Sequence, residues 1–306
     1  MLTDKNIHVI RRSESGFTLT ELLVVIVMVG IMTTAGYNLY REQNRINQAQ
    51  QNILEVQSSG RAALQILIQA FSHAGFGCSE NISSGNEVAG EENYLNPGNQ
   101  GFSGTTPDSA TLVYGFEHVA TVNGAVSAET NTVTIDNSTN LGTSDYLRFI
   151  SFYPSLAPND FYEITGTSGT TVTINRSISS LRDNTRIFRV NPLQFYVNNN
   201  ELRMRETDGA RDEVIAYGVQ DFQVAYTAEE DNLEAAVWED NPANPENVKA
   251  VWIYMLLRTR QIEPGHQENR TFRLPWNAAL NFDGGTLAAG FHYQEFQTKV
   301  WLRNAN

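Results

Sequence analysis

One long apolar segment near the N-terminus constrains this chain more than any other feature. Residues 17–37 form a run of 21 residues in which Glu21 is the only charged side chain. As an α-helix rising ~1.5 Å per residue, the run would be about 32 Å long and would match a bilayer hydrocarbon core of ~30 Å. The segment can therefore anchor the chain in a membrane.

The residues before this segment differ from those of an ordinary secretory signal. A secretory signal places its small-residue cleavage site after the apolar core, whereas here the small residue, Gly16, directly precedes Phe17. Arg11 and Arg12 favour a cytoplasmic location for residues 1–16, according to the positive-inside rule. The order of features thus indicates a leader that ends before the apolar segment begins.

Glu21 needs an explanation, because a carboxylate inside an apolar span is costly and marks a candidate functional site. One interpretation is a signal anchor that merely tolerates this carboxylate near the membrane face, which Glu21 can reach from the first turns of the helix.

The motif Gly-Phe-Thr-Leu-Thr-Glu at residues 16–21, followed by an unbroken apolar run, resembles the class III signal of type IV prepilins and type II secretion pseudopilins. The resemblance implies that a prepilin peptidase removes residues 1–16 by cleavage after Gly16 and that Phe17 is then N-methylated. It also implies that Glu21 pairs with the N-terminal amine of a neighbouring subunit, so that two charges that are costly alone are tolerated together.

The helix is predicted to continue beyond the membrane-spanning residues 17–37 as an amphipathic segment over residues 38–73. Apolar or small residues recur there at steps of three and four: Ile46, Ala49, Ile53, Val56, Gly60, Leu64, Leu67 and Phe71. This stripe is expected to pack on the body of the protein. Ser58–Gly60 is a predicted weak point, and residues 74–110, rich in Gly, Asn and Ser, are predicted to form a loop region.

The remainder of the chain is predicted to be rich in β-strands. Short runs of β-branched and aromatic residues begin at Thr111, Thr132, Tyr146, Asp160, Thr170 and Arg186. Turn residues between them predict hairpins at 166–169 and 198–200. Residues 213–227 alternate as in a half-buried strand, and two closing strands are predicted from Lys249 and from Phe291.

These patterns predict an α+β fold in which a long N-terminal helix packs on a β-rich, mostly antiparallel body. We expect two lobes, 111–185 and 186–306, divided near Thr185. The segments 61–78 and 186–227 and the two closing strands are similar in sequence and order to PilW-type minor pilins, whose secretion counterpart is the J-type pseudopilin.

The overall charge and the cysteine content exclude some classes of protein. The formal net charge of −13 argues against non-specific binding to nucleic acid. Because Cys78 is the only cysteine, no intrachain disulfide can form. A buried, inert thiol is the preferred interpretation of Cys78, and a bond to another subunit is the alternative.

No catalytic motif is present in the sequence, so the protein is not expected to be an enzyme. The histidines of the mature chain, His73, His118, His266 and His292, lack the spacing of metal-binding motifs and are interpreted as isolated residues. The acidic span 229–240 offers oxygen ligands of the kind that calcium prefers but lacks EF-hand spacing, and a solvated loop is the preferred interpretation. No cofactor is therefore predicted, and calcium is kept as an alternative.

The resemblance implies a minor pilin subunit at or near the tip of a type IV pilus, with a role in pilus assembly, adhesion and twitching motility. Expected partners are the prepilin peptidase, the major pilin and other minor pilins, the inner-membrane assembly platform and a tip adhesin. The prepilin would span the inner membrane once, with its body in the periplasm, before entering the fibre at the cell surface. The alternatives are a type II secretion minor pseudopilin and a membrane-anchored adhesin or DNA-uptake receptor.

Overall fold

The computed structural model describes most of the chain beyond residue 15. The described residues are 16–77, 82, 86–98, 107–139, 141–150, 160–206, 211–229, 232–282 and 287–303. The chain forms two compact units, one ending at Gln51 and the other comprising Asn52–Asn306. Arg11, Arg12 and Cys78 lie outside the described residues.

A single helix, α1, spans Leu19–His73 and contains 55 residues. The helix continues through residues 58–60, so the predicted weak point does not interrupt it. Gly60 has a packing role instead, since a Cβ atom at this position would lie 2.3 Å from the Cε2 ring carbon of Phe296. The absence of a side chain at Gly60 lets the aromatic ring lie directly on the helix backbone.

The part of α1 that belongs to the second unit buries one face. Its buried residues are Val56, Gly60, Ala63, Leu67, Ala70 and Phe71. Their spacing of mainly three and four residues places them on one face of the helix. Leu64 is only partly buried, and Ile46, which lies in the first unit, is 47% exposed. The fully buried part of the stripe therefore begins at Val56.

Among the described residues, the larger sheet has nine strands, and each neighbouring pair of them is antiparallel. The strands are β1 (Leu95–Gly98), β2 (Ser109–Thr121), β3 (Thr130–Thr134), β4 (Tyr146–Ile150), β5 (Phe161–Ser168), β6 (Thr171–Ile178), β7 (Arg186–Asn198), β8 (Glu201–Glu206) and β9 (Asp212–Tyr217). Their order is β1-β2-β7-β4-β5-β6-β3, and β8 pairs with both β7 and β9.

Strand β7 lies at the centre of this sheet. One side of β7 pairs with β2, while the other side pairs with β4 through residues 186–190 and with β8 through residues 193–198. The sheet therefore does not divide near Thr185, because β7, β8 and β9 complete the same sheet as the strands before them. The two sheets of the body separate further along the chain, at Gly218.

A second sheet contains three antiparallel strands, β10 (Val219–Thr227), β11 (Ala250–Arg258) and β14 (Tyr293–Trp301), with β11 in the middle. Strands β12 (Phe272–Leu274) and β13 (Asn277–Phe282) form a separate hairpin, and a short 3-10 helix spans Pro245–Asn247. The predicted closing strands are thus confirmed as β11 and β14.

The predicted strand region 213–227 contains two strands of different sheets. Gly218 separates β9 from β10 with a φ of +75°, and a Cβ atom there would lie 2.3 Å from the carbonyl oxygen of Arg258. Only glycine combines this backbone angle with so close an approach. Beyond Gly218, β10 is buried almost throughout, so the prediction of a half-buried strand does not hold for this part.

Of the two predicted hairpin turns, the one at 198–200 lies where the sequence predicts it, and the one at 166–169 is shifted towards the C-terminus. Asn199 and Asn200, with φ angles of 51° and 60°, make the predicted turn between β7 and β8. Between β5 and β6 the turn lies at Gly169–Thr170, at the end of the predicted segment. The predicted loop region 74–110 contains a strand, β1, because residues 95–98 pair with β2.

The buried face of α1 joins the core that lies between the two sheets. In this core the ring of Phe71 lies 6.2 Å from that of Phe195 on β7, and Phe222 of β10 and Val251 of β11 belong to the same cluster. The architecture is the predicted α+β fold: one long N-terminal helix and a mostly antiparallel, β-rich body.

Candidate processing and assembly site

Gly16 and Phe17 lie immediately before the helix, where a peptidase would need access. The side chain of Phe17 is 83% exposed. A Cβ atom at Gly16 would meet nothing within 4 Å, so this chain supplies no packing reason for glycine at this position.

Thr18 and Glu21 form a reciprocal cap at the start of α1. The Glu21 amide donates to Thr18 Oγ1 at 3.3 Å, and the Thr18 amide donates to Glu21 Oε2 at 3.0 Å. The Thr18 hydroxyl also donates to Oε2 at 3.0 Å. This capping box satisfies backbone donors that the helix itself leaves unpaired. The Thr-x-x-Glu spacing before an apolar run is its sequence signature, and our sequence analysis missed it.

The helix beyond this cap carries a continuous apolar surface. Leu22, Leu23, Ile26, Val29 and Met32 each expose more than half of their side chains. Apolar side chains exposed over such a length indicate burial in a lipid or protein environment. Helix α1 is long and apolar enough to cross a membrane.

Two predicted isolated histidines are not isolated, so that interpretation was wrong for them. The structure brings together Glu263, His266 and His292, whose potential metal-binding atoms all lie within 4.8 Å of one another. By contrast, His118 is exposed and contacts the ring of Phe188 at 5.5 Å. His73 is the last residue of α1.

The acidic span 229–240 shows no group of three metal-binding side chains among the residues that the structure describes. One carboxylate of the span has a structural role, because the Trp276 indole donates to Asp240 Oδ1 at 2.9 Å.

Trp252 packs between Trp238 and Trp276, and the Lys299 ammonium lies 4.1 Å from the Trp252 ring centroid. The three tryptophans therefore pack against one another and against Lys299 as one cluster.

A polar cleft of about 540 Å³ opens on the larger sheet. Its lining residues are Tyr114, Glu117, His118, Arg189, Leu193, Glu206 and Arg211. Arg189 pairs with Glu117, and Arg211 lies 3.8 Å from Glu206. The opposite charges in the cleft thus largely compensate one another.

Two family models match the chain. The prokaryotic N-terminal methylation motif matches residues 11–37, which include the cap and the apolar run. The model described as type IV pilus-assembly protein W matches residues 193–304, from β7 to the end of β14. The two matches support a PilW-type, type IV pilin-like protein.

Two solved structures are similar to this chain at low identity and low TM-score. The tailspike of Acinetobacter baumannii bacteriophage AP22, in complex with A. baumannii capsular saccharide, is 19% identical with a TM-score of 0.20, over 24% of this chain and 14% of the tailspike chain. A type IV-like pilin from Thermus thermophilus is 12% identical with a TM-score of 0.40, over 81% of this chain and 97% of the pilin. No curated protein matches the chain.

Proposed function

We propose that this protein is a minor pilin subunit of a type IV pilus, assembled at or near the pilus tip to initiate or support fibre assembly. The observation that carries the proposal is the capped, exposed apolar helix that follows Gly16 and precedes a PilW-type body. In this proposal, peptidase cleavage after Gly16 and N-methylation of Phe17 prepare the helix for assembly, and the protein has no enzymatic activity.

The proposed assembly contact involves Glu21. Both hydrogen bonds that the Glu21 carboxylate accepts in the cap reach Oε2. Among the described residues, no donor is recorded for Oε1. This second oxygen remains available to the N-terminal ammonium of a neighbouring subunit, and the pair would offset the cost of burying each charge alone. Glu21 would thus serve both the cap of its own helix and the neighbouring chain.

The proposed cellular route begins at the inner membrane, with the body in the periplasm, and ends in the fibre at the cell surface. Arg11 and Arg12 would hold the leader on the cytoplasmic side. The proposed partners are the prepilin peptidase, the assembly platform, the major pilin, other minor pilins and a tip adhesin. Adhesion and twitching motility would depend on the protein through the assembled pilus.

A second candidate function, a binding domain displayed through the prepilin route, is favoured by the cleft beside Arg189 and Arg211. The net charge of −13 argues against a nucleic-acid ligand for it. A type II secretion pseudopilin would have the same processing site and the same kind of helix. Only the type of fibre into which the subunit is assembled would distinguish it from a minor pilin.

N-terminal mass spectrometry of the protein from membranes and from sheared surface fibres tests the proposed processing. We expect a chain that starts at N-methyl Phe17, present in the fibres and absent from cells without the peptidase. A Met1 or Leu2 start in cells that contain the peptidase would refute the processing step. A processed chain that never enters surface fibres would favour the secretion alternative.

A matched pair of variants separates the two roles of Glu21. Glu21→Gln preserves a capping-box acceptor but removes the charge, whereas Thr18→Val removes the capping hydroxyl and keeps the charge. We expect Glu21→Gln to reduce incorporation into sheared fibres at least about tenfold, because a buried charge without its partner costs ~3–5 kcal/mol. Thr18→Val should retain incorporation, and the opposite pattern would reduce Glu21 to a capping residue.

A further inference from the structure

We propose that Glu263, His266 and His292 form a binding site for a zinc-type divalent metal ion in the C-terminal part of the body. The potential ligand atoms of the three side chains lie within 4.8 Å of one another, and all three residues are half-buried. The proposal does not depend on the proposed role in the pilus.

The pairing of two strands brings these residues together. Arg258, the last residue of β11, pairs with Tyr293, the first residue of β14. The chain that leaves β11 therefore runs beside the chain that enters β14. Glu263 and His266 lie on the first of these segments and His292 on the second, so the register of the sheet determines their proximity.

Backbone hydrogen bonds hold the two segments in this arrangement. The Glu263 amide donates to the Gly290 carbonyl at 2.7 Å, and the Gly290 amide donates to the His266 carbonyl at 3.0 Å. The Thr259 amide donates to the His292 carbonyl at 2.9 Å. Each potential ligand thus belongs to a residue whose backbone bonds to the opposite segment. The backbone of the site is thus pre-organised, which lowers the entropic cost of binding an ion.

The side chains of the site are only partly satisfied by one another. His292 Nε2 lies 2.6 Å from Glu263 Oε2, whereas the buried Nε2 of His266 has no hydrogen-bond partner among the described residues. A buried polar atom without a partner costs roughly 1–3 kcal/mol. Stacking of the two imidazole rings, 3.7 Å apart, leaves that cost in place. A metal ion bound by Nε2 would remove it.

The donor set determines the class of ion. Two imidazole nitrogens and one carboxylate oxygen suit zinc and other imidazole-binding divalent metals, while magnesium and calcium prefer oxygen ligands. A fourth position would remain for water or a donor from another molecule. Because the ring planes diverge by 30°, one imidazole must turn so that both in-plane lone pairs point at the ion. The bound ion would cross-link the segments that flank β11 and β14.

Titration calorimetry with zinc alone tests the site. The experiment uses the mature full-length chain in detergent, without a polyhistidine tag, near neutral pH, where imidazole is largely unprotonated. We expect one zinc ion per chain and an upward shift of the thermal unfolding midpoint with zinc, because an ion that binds only the folded state stabilises it. Magnesium at the same concentration should give neither effect.

Variants assign the ligands. His266→Ala, His292→Ala and Glu263→Gln should each weaken zinc binding at least about tenfold, which is the lower bound for losing even an outer-shell partner of a metal site. His118→Ala, which removes an exposed histidine elsewhere, should bind like the unmodified chain. Failure of the unmodified chain to bind zinc would overturn the proposal, as would unchanged affinity in a folded His266→Ala variant. If that variant does not fold, the zinc titration of the unmodified chain decides whether the site exists.

Discussion

Asp221 places a carboxyl group in the interior of the three-stranded sheet. Its side chain is 1% exposed, and the side-chain amide Nε2 of Gln223 donates to Asp221 Oδ1 at 3.0 Å. Oδ2 has no hydrogen-bond partner among the described residues. Burial raises the pKa of Asp221 from 3.8 to about 6, and the hydrogen bond from Gln223 opposes this effect only in part. The folded protein therefore holds the proton to a higher pH than the unfolded chain does.

This difference predicts that ionisation of Asp221 destabilises the fold as the pH rises. The folded-state pKa is raised, so the stability associated with the neutral carboxyl is present below the unfolded pKa of 3.8 and is lost towards about 6. The difference corresponds to roughly 3 kcal/mol. Asp221→Asn should remove most of this loss and be more stable than the unmodified chain above about pH 6.

Urea unfolding at several pH values, followed by tryptophan fluorescence, measures the effect. Asp160→Asn, which changes an exposed carboxylate, serves as the matched control and should leave the pH profile unchanged. A wild-type profile that is flat between the two pKa values would show that Asp221 is not destabilised by its burial.

The contact between α1 and β14 gives a prediction at the scale of elements. Alanine is usually preferred to glycine within a helix by about 1 kcal/mol. At Gly60, however, a methyl group would overlap the ring of Phe296 and force it to move. Gly60→Ala should therefore destabilise the protein by up to about 2 kcal/mol, since overpacking costs ~1–3 kcal/mol and the helix preference of about 1 kcal/mol offsets part of that cost.

A double-mutant cycle with Phe296→Leu separates the cost of overpacking from the helix preference for alanine. In the Phe296→Leu background the ring is absent, so Gly60→Ala should lose most of its cost and become neutral or stabilising. Equal effects of Gly60→Ala in both backgrounds, measured as free energies of unfolding, would show that Phe296 is not the obstacle.

Local patterns predicted the elements whose formation depends on local chemistry. Apolar runs bounded by turn residues predicted β11 and β14, and two asparagines predicted the turn after β7. Strand β1 was missed because Asn96, Pro97 and Gly98 are turn residues by composition, and only pairing with β2 makes them a strand. The change of sheet at Gly218 was missed because the apolar pattern continues across it.

The candidate sites also differ in whether neighbouring residues in the sequence are enough to predict them. The processing motif and its cap lie within a few consecutive residues, so the sequence is sufficient to recognise the motif and contains the signature of the cap. His266 and His292 are far apart in the chain and meet only through the register of β11 and β14. That proximity could have been found only by predicting the strand pairing as well as the strands.

At the scale of the whole molecule, the boundary after Gln51 predicts where the chain can be shortened. A chain that starts at Asn52 keeps the buried face of α1 and should fold as a compact unit. A chain that starts at Ala74 lacks Leu67 and Phe71, and each such loss from a core costs ~2–5 kcal/mol. When the other removed core residues are included, the summed loss of stability approaches the entire stability of a typical domain, ~5–15 kcal/mol.

Near-ultraviolet circular dichroism and urea unfolding distinguish the two truncated chains. The longer one should show fixed aromatic signals and a cooperative transition, whereas the shorter one should show neither. A cooperatively folded chain from Ala74 would mean that the helix is not an essential part of the core.

The central place of β7 has a consequence for the order in which the molecule folds. Strand β2 ends at Thr121, but β7 begins only at Arg186, so a chain emerging N-terminus first presents β2 long before this partner exists. The hairpins β5–β6 and β7–β8 can close early, because their contacts are local. During the delay, one edge of β2 is open to strands of other chains. Once the chain has emerged past residue 198, β7 can pair with β2 and this edge is no longer open.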